Sequence, residues 1–431
     1  MADTASFAGA MKTRLLGPIR DILPRGMVLL FGDSAANPTD FKGILPSAEG
    51  ISFVGNDFRI PMKVRRNQAV GFRSENEILP APGSSQYSFL TEPLRYAYAI
   101  FNITGPLLQA SESGDGAFVP AFKQEMADTI LASKLDFNRA AFGDGTGQMA
   151  VVTNTTVTSP LGTAANTTNS TIISLGSTIN FRGLGEVIDF VAATGVVISP
   201  AHVVTAVDRA NLVIQISPGL AANITATTHY PVRSSSDSTI ALPNNSQNKE
   251  INGLSNIVNN TGVLHGFNPA TYGFWKSYVK AVSGPISDAV MRDAKDSVGF
   301  EQGLDLSSGL DFAILTTRGV RRRYSDTLTA LKRFNDATSV NLHGGFTALM
   351  FDENPIFIDD TCPIGNMFGL ALNKMFWSQG SDWNWMDRDG DVLKWETRRD
   401  RYIAILYKYC QLGTTFRGAH FRLTGLSDDV R

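Results

Sequence analysis

Between Phe58 and Phe142 the hydrophobic period changes from two to about four, and few architectures accommodate that change. Phe58, Ile60, Met62 and Val64 alternate with polar or small residues, the period of a strand. Pro80-Ala81-Pro82-Gly83-Ser84-Ser85 is a turn-forming tip, and Tyr87 and Phe89 resume the alternation. Residues 56–93 therefore read as one long hairpin. Such a hairpin is marginal unless its faces and edges pack against something, which points to assembly. Residues 94–104 (LRYAYAIFNIT) form a strand rich in aromatics. Residues 117–142 then carry a helical stripe of Phe118, Phe122, Met126, Ile130, Leu131 and Leu135. Pro120 suits a first turn and Gly143 a stop. The spacing predicts a long helix laid on a sheet.

The flanks read differently. Residues 1–55 are an arm in which Pro and Gly recur and no helical stripe lasts. Residues 151–250 hold only nine charged residues and are crowded with Thr, Ser and Asn. Short apolar pieces alternate there with turn residues, as in a small all-β subdomain. Residues 251–370 return to mixed α/β. Helices are expected at 285–297 and 325–334, a buried strand at 310–317, and two strands around the Asp352–Pro355 turn. Residues 371–431 are strand-rich. Trp383 and Trp385 share one face, with Leu393 and Trp395 answering them across the Asp387–Asp391 turn. RYIAILYKYCQLG (401–413) is apolar on both faces, as in a central strand.

Composition excludes several classes. The chain has 431 residues, room for about two to four domains. Only 18% are charged, against about 25% in an ordinary soluble chain, and Lys+Arg 38 against Asp+Glu 40 gives net −2. That balance does not mark a dedicated nucleic-acid binder. The aromatic content, 26 Phe, 10 Tyr and 5 Trp, is that of a large core rather than a disordered chain. The longest apolar run, 187–207, is interrupted by Asp189, Gly195, Pro200 and His202 and does not make a plain membrane span. The N-terminus lacks an apolar signal region. Cys362 and Cys410 exclude a disulfide scaffold and read as reduced, buried thiols.

No motif carries a catalytic signature. Gly143-Asp144-Gly145-Thr146-Gly147 follows a helix and precedes a β region, the wrong order for a phosphate loop, and reads as a turn. Asp387–Asp391 resembles a calcium loop, but Trp385 occupies the first acidic position, so a hairpin turn is expected. Asp352, Glu353, Asp359 and Asp360 are the densest acidic cluster, with turn and capping roles favoured over acid–base or metal chemistry. Arg318, Arg321, Arg322 and Arg323 beside Tyr324 form a basic knot that would meet nucleic acid, a neighbouring subunit or solvent. The five His, at 202, 229, 265, 343 and 420, are scattered and read as structural.

Four stretches, in order, resemble the major capsid protein of tailed bacteriophages, the Hong Kong phage type of fold. GFRSENEILPAPGSSQYSFLTEPLRYAYAIFNIT (71–104) resembles the descending side of that family's extended loop and the strand after it. FVPAFKQEMADTILASKLDFNRAAFGDGTGQ (118–148) resembles its spine helix and closing turn. INGLSNIVNNTGVLHGFNPATYGFWKSYV (251–279) resembles the entry to its axial domain. GGFTALMFDENPIFIDDTCPIGNMFGLALNKM (344–375) resembles the return to its peripheral domain. Each motif alone is weak, and their order gives the likeness its strength.

The resemblance implies an α+β capsid fold: N-terminal arm (1–55), extended hairpin loop (56–93), peripheral domain (94–150) with its spine helix (117–142), inserted β subdomain (151–250), axial domain (251–370) and the peripheral domain's C-terminal part (371–431). It implies a structural protein without cofactor or metal. That protein assembles with itself into pentamers and hexamers of a shell around double-stranded DNA. A separate scaffolding protein, a portal and a decoration protein are the implied partners, with no membrane. The implied location is the virion, after synthesis in a bacterial host's cytoplasm. Expected inter-subunit contacts are Lys63, Arg65, Arg66 and Arg73 on the hairpin and Trp383, Trp385 and Trp395. The alternatives are an encapsulin-like nanocompartment shell, or an enzyme using a divalent metal at the 352–360 acidic cluster.

Overall fold

The computed structural model describes residues 29–30, 51–52, 57–107, 121–154, 171–181, 184–220, 224–234, 245–302, 312–331, 339–342, 346–352, 354–387, 390–397 and 399–428. Most of the expected arm, the helix before residue 121, His343 and Glu353 lie outside them.

The chain opens with β1 (Ile51–Ser52), the hairpin strands β2 (Asp57–Arg65) and β3 (Gln86–Pro93), β4 (Arg95–Thr104) and α1 (Ala121–Phe142). Six strands follow: β5 (Val152–Asn154), β6 (Thr171–Leu175), β7 (Val187–Ala192), β8 (Val197–Asp208), β9 (Val213–Ser217) and β10 (His229–Arg233). A mixed region comes next, with α2 (Leu254–Ile257), β11 (Tyr278–Gly284), α3 (Asp288–Gln302), β12 (Phe312–Thr316) and α4 (Arg318–Leu331). It continues through β13 (Ser339–Leu342), β14 (Phe346–Phe351), β15 (Asn354–Ile358) and β16 (Met367–Ala371). The last strands are β17 (Met375–Trp385), β18 (Lys394–Trp395), β19 (Arg401–Thr414) and β20 (Phe421–Leu426). The chain is thus strand-rich mixed α/β.

One sheet is organised by β19, which takes β4 along one side and β17 then β18 along the other. Its inner face (Phe101, Ile103, Ala404, Leu406, Cys410) is buried and covered by α1, while Tyr96, Tyr98 and Ile100 of the opposite face stay exposed. The C-terminal half of α1 is buried on more than its stripe. Asn138 and Arg139 are enclosed with Leu135, Phe137 and Phe142, because Asp359 and Glu250 reach the helix from other segments.

A second sheet of seven strands runs β11-β20-β16-β12-β15-β14-β13, with its own apolar cluster beneath α3 and α4. A third, of six antiparallel strands, runs β10-β7-β8-β9-β6-β5. Its edges meet: the Met149 amide donates to the Pro231 carbonyl and the Thr227 amide to the Val152 carbonyl. Closure removes the exposed edges, and Val152, Ile173, Phe181, Ile188, Phe190, Val204 and Ile214 fill a separate core.

Three local expectations need correction. Trp395 does not answer Trp383 and Trp385 across a turn. It pairs with Tyr402, while Trp385 pairs with Leu406, so both strands lie end to end along β19, whose two apolar faces make it the common neighbour. The helix expected from Ser325 starts at Arg318, because the Thr317 hydroxyl accepts the Val320 amide and caps it. The helix expected from Pro285 starts at Asp288, with Ser287 accepting from the Val290 amide.

Candidate assembly surfaces

The inner face of β2 (Ile60, Met62, Val64) packs on the core with Leu90, and the Thr91 amide donates to the His265 carbonyl. Glu92 fixes the root. It accepts from His265 Nδ1 at 2.7 Å, Asn252 Nδ2 at 2.6 Å and Gln411 Nε2 at 3.0 Å. His265 Nε2 accepts the Thr414 amide, so the ring is the Nδ1–H tautomer. The hairpin is therefore anchored below and free above. Lys63, Arg65, Arg66 and Arg73 are all exposed, the first two on the outer face of β2 and the others in the tip. Arg65 donates to Gln68 and Arg73 to the Phe72 carbonyl.

The three tryptophans separate. Trp383 packs edge-on to Phe137 of α1, and Trp385 edge-on to Phe101 of β4. Lys408 Nζ lies 5.8 Å from the Trp383 ring and 3.0 Å from Asp382. Trp395 is 61% exposed. Only Trp395 offers a ring to a partner in this form.

The acidic cluster comes apart. Asp352 pairs with Lys295, and Asp360 takes the Arg318 guanidinium at 2.6 and 3.0 Å. Asp359 is fully buried and accepts from the amides of Leu29 and Thr361 and from Asn138. Burial pushes its carboxyl pKa up, against the pull of those donors. Each described carboxylate is already held by a different element. Among the described residues, no group of three His, Cys, Asp or Glu is placed to hold a metal ion. Gly143–Gly147 is a turn in which Asp144 accepts from Thr146, and Gly145 and Gly147 have positive φ. Of the basic knot, Arg318 is paired as above, on the first turn of α4. Cys362 and Cys410 are buried thiols, with burial pushing the Cys410 pKa to about 12.

A capsid asymmetric unit of cyanophage A-1(L) superposes on this arrangement with a TM-score of 0.53, at 12% identity, over 89% of this chain and 91% of that one. The chain has a phage capsid fold. The capsid of a native GTA particle gives 0.48 at 11% identity, over 99% of this chain and 100% of that one. An encapsulin complex from Synechococcus elongatus PCC 7942 gives 0.47 at 9% identity, over 100% and 99%. No family model and no curated protein sequence matches. Among the described residues no helix is long and apolar enough to cross a membrane.

Sequence spacing hid one constellation in this capsid fold. Ser199 Oγ lies 2.7 Å from His202 Nε2, and His202 Nδ1 lies 2.7 Å from the Pro218 carbonyl. A carbonyl only accepts, so Nδ1 carries the proton and Ser199 donates to Nε2. Burial lowers the His202 pKa and keeps it neutral. A bulge at Pro200-Ala201, where Ala201 has φ 57 and donates to Asp189, turns both side chains inward. Both residues are buried, so the couple is a polar pin in the barrel, closed to substrate.

Proposed function

We propose that this chain is the major capsid protein of a tailed bacteriophage and builds an icosahedral shell around double-stranded DNA. The sheet around β19 with α1 serves as the peripheral domain, the seven-stranded sheet as the axial domain around fivefold and sixfold positions, and the six-stranded barrel as an inserted surface subdomain. Hairpin β2–β3 is the extended loop that lies over a neighbour, with Lys63, Arg65, Arg66 and Arg73 pairing with its acidic residues. The role is structural rather than catalytic. Scaffolding, portal and decoration proteins are its partners, and the virion is its location.

One observation carries this reading beyond the fold. Val70, Phe72, Ile78 and Leu79 of the hairpin tip are 84, 103, 90 and 78% exposed. Four large apolar side chains on one protruding loop are covered only by another molecule. Replacing residues 66–85 with a short Gly-Ser turn keeps Ile60, Met62, Val64 and Leu90 in the core. The expected result is a folded, soluble subunit that forms no shells. Normal shells from that variant would contradict the assignment.

A further inference from the structure

The barrel joins the rest of the chain through the segment before β5 and the segment after β10. Among the described residues none of its strands pairs with a strand of another sheet, and its apolar cluster is separate from the one beneath α1. Two bodies without a shared apolar core move relative to each other unless polar contacts hold them. The two joining segments touch at Gly147, where a β-carbon would come within 2.7 Å of the Ser246 carbonyl oxygen and where φ is 81. A glycine allows both the turn and the close approach, which makes this crossing a pivot.

Charges of alternating sign bridge the junction. Arg139 of α1 holds Asp136 at 2.9 Å, and it holds Glu250 of the outgoing segment at 2.5 and 3.2 Å. On the barrel, Arg233 at the end of β10 holds Glu186, just before β7, at 3.3 Å. Asp136 stands in the field of both arginines. Partial burial would raise its carboxyl pKa, and the Arg139 and Arg233 charges reverse this and hold it below the ordinary value. The series Glu250, Arg139, Asp136, Arg233, Glu186 thus runs from the helix to the barrel. Its two ends of attachment differ. The side chains of Arg139 and Glu250 are buried, whereas those of Asp136 and Arg233 are 43 and 34% exposed. Asp136, Arg233 and Glu250 line an open groove of about 580 Å³, together with Arg95 and Lys249. The link that belongs to the barrel is therefore the solvated one, and the groove leaves the barrel room to move.

We propose that the barrel is an appendage latched to α1 by this series of charges, that Asp136 and Arg233 form the link that opens, and that opening it lets the barrel pivot about Gly147 and Ser246. The latch lies within one chain, so it stands or falls separately from the shell reading.

The test measures the distance between two spin labels on the full-length unassembled subunit, one at Ala210→Cys in the β8–β9 turn and one at Ala127→Cys on α1, both exposed positions. The native cysteines are buried, so the labels go to the introduced ones. The parent should give one narrow distance distribution at low salt. Asp136→Asn and Arg233→Gln should each broaden it about twofold or more, while hydrogen exchange at Ile173 and Ile214 of the barrel core stays as in the parent. A distribution that remains narrow in both variants overturns the latch, and so does one already broad in the parent. Should either variant lose protection in the barrel core, salt decides on the parent alone. Raising it from 0.1 to 1 M shortens the screening length from about 10 to about 3 Å. Broadening over that range supports the latch, and a constant narrow distribution overturns it.

Discussion

The backbone amide of Leu29 donates to Oδ2 of Asp359 at 2.9 Å, across 330 residues of sequence. Both residues are fully buried, and Asn138 of α1 donates to the same carboxylate at 3.1 Å. A short piece of the N-terminal region, the C-terminal half of α1 and the turn after β15 are thus tied at one buried acid. Asp359→Asn replaces an acceptor by a donor facing the Leu29 amide or the Asn138 amide. The expected cost is about 1–3 kcal/mol, read from the denaturant midpoint of the unassembled subunit. Hydrogen exchange at Leu29 should accelerate about tenfold or more. Unchanged exchange would contradict the tie.

His420 sets a pH dependence. Its Nδ1 accepts the Ala371 amide at 3.2 Å and its Nε2 donates to Thr414 Oγ1 at 2.9 Å. Protonation would set N–H against N–H in a fully buried site, and burial pulls the pKa down to about 3 from 6.5. The unfolded chain then binds the extra proton between those two values, so stability falls as pH drops through that window. At pH 5 the loss is about 2 kcal/mol. Thermal melts of the unassembled subunit from pH 7 to 5 should show it, with a shallower slope in His420→Gln.

Arg417 is fully buried, and among the described residues it has no carboxylate partner. Its guanidinium donates to the backbone carbonyls of Asn256, Ile257, Thr261 and Gly262. Burial lowers its pKa to about 10, which leaves it charged at neutral pH. A lysine ammonium does not span that fan of acceptors. Arg417→Lys is expected to cost about 3 kcal/mol or more through unpaired buried carbonyls, seen as a lower Tm. A melt within a degree of the parent would refute the role.

Gly253 lies where the chain crosses the C-terminal end of α1. A β-carbon there would overlap the carbonyl oxygens of Ala140 and Gly143, while Ser255 donates to the Phe142 carbonyl at 2.6 Å. Gly253→Ala is expected to destabilise the subunit by about 1–3 kcal/mol, and Ser255→Ala by about 1 kcal/mol. Equilibrium unfolding of the two variants checks the order.

What sequence revealed depended on periodicity. The alternation of Phe58, Ile60, Met62 and Val64 is β2, and the two-faced apolar run at 401–413 is the central strand β19. Those patterns are local and repeat within one element. Asp359 looked like one of four clustered acids because its partners, Leu29 and Asn138, lie hundreds of residues away. His202 read as structural, but its pairing with Ser199 was not legible because a bulge, not regular alternation, turns both inward. Trp395 was misplaced because adjacency in sequence does not reveal that β19 would receive both β17 and β18 on one side.

The central claim is that this chain closes into shells. Electron microscopy of the purified full chain, expressed with and without a scaffolding partner, tests it directly. The account predicts closed, uniform shells, or sheets of five- and sixfold rings, in at least one condition. A stable monomer in both conditions would contradict it.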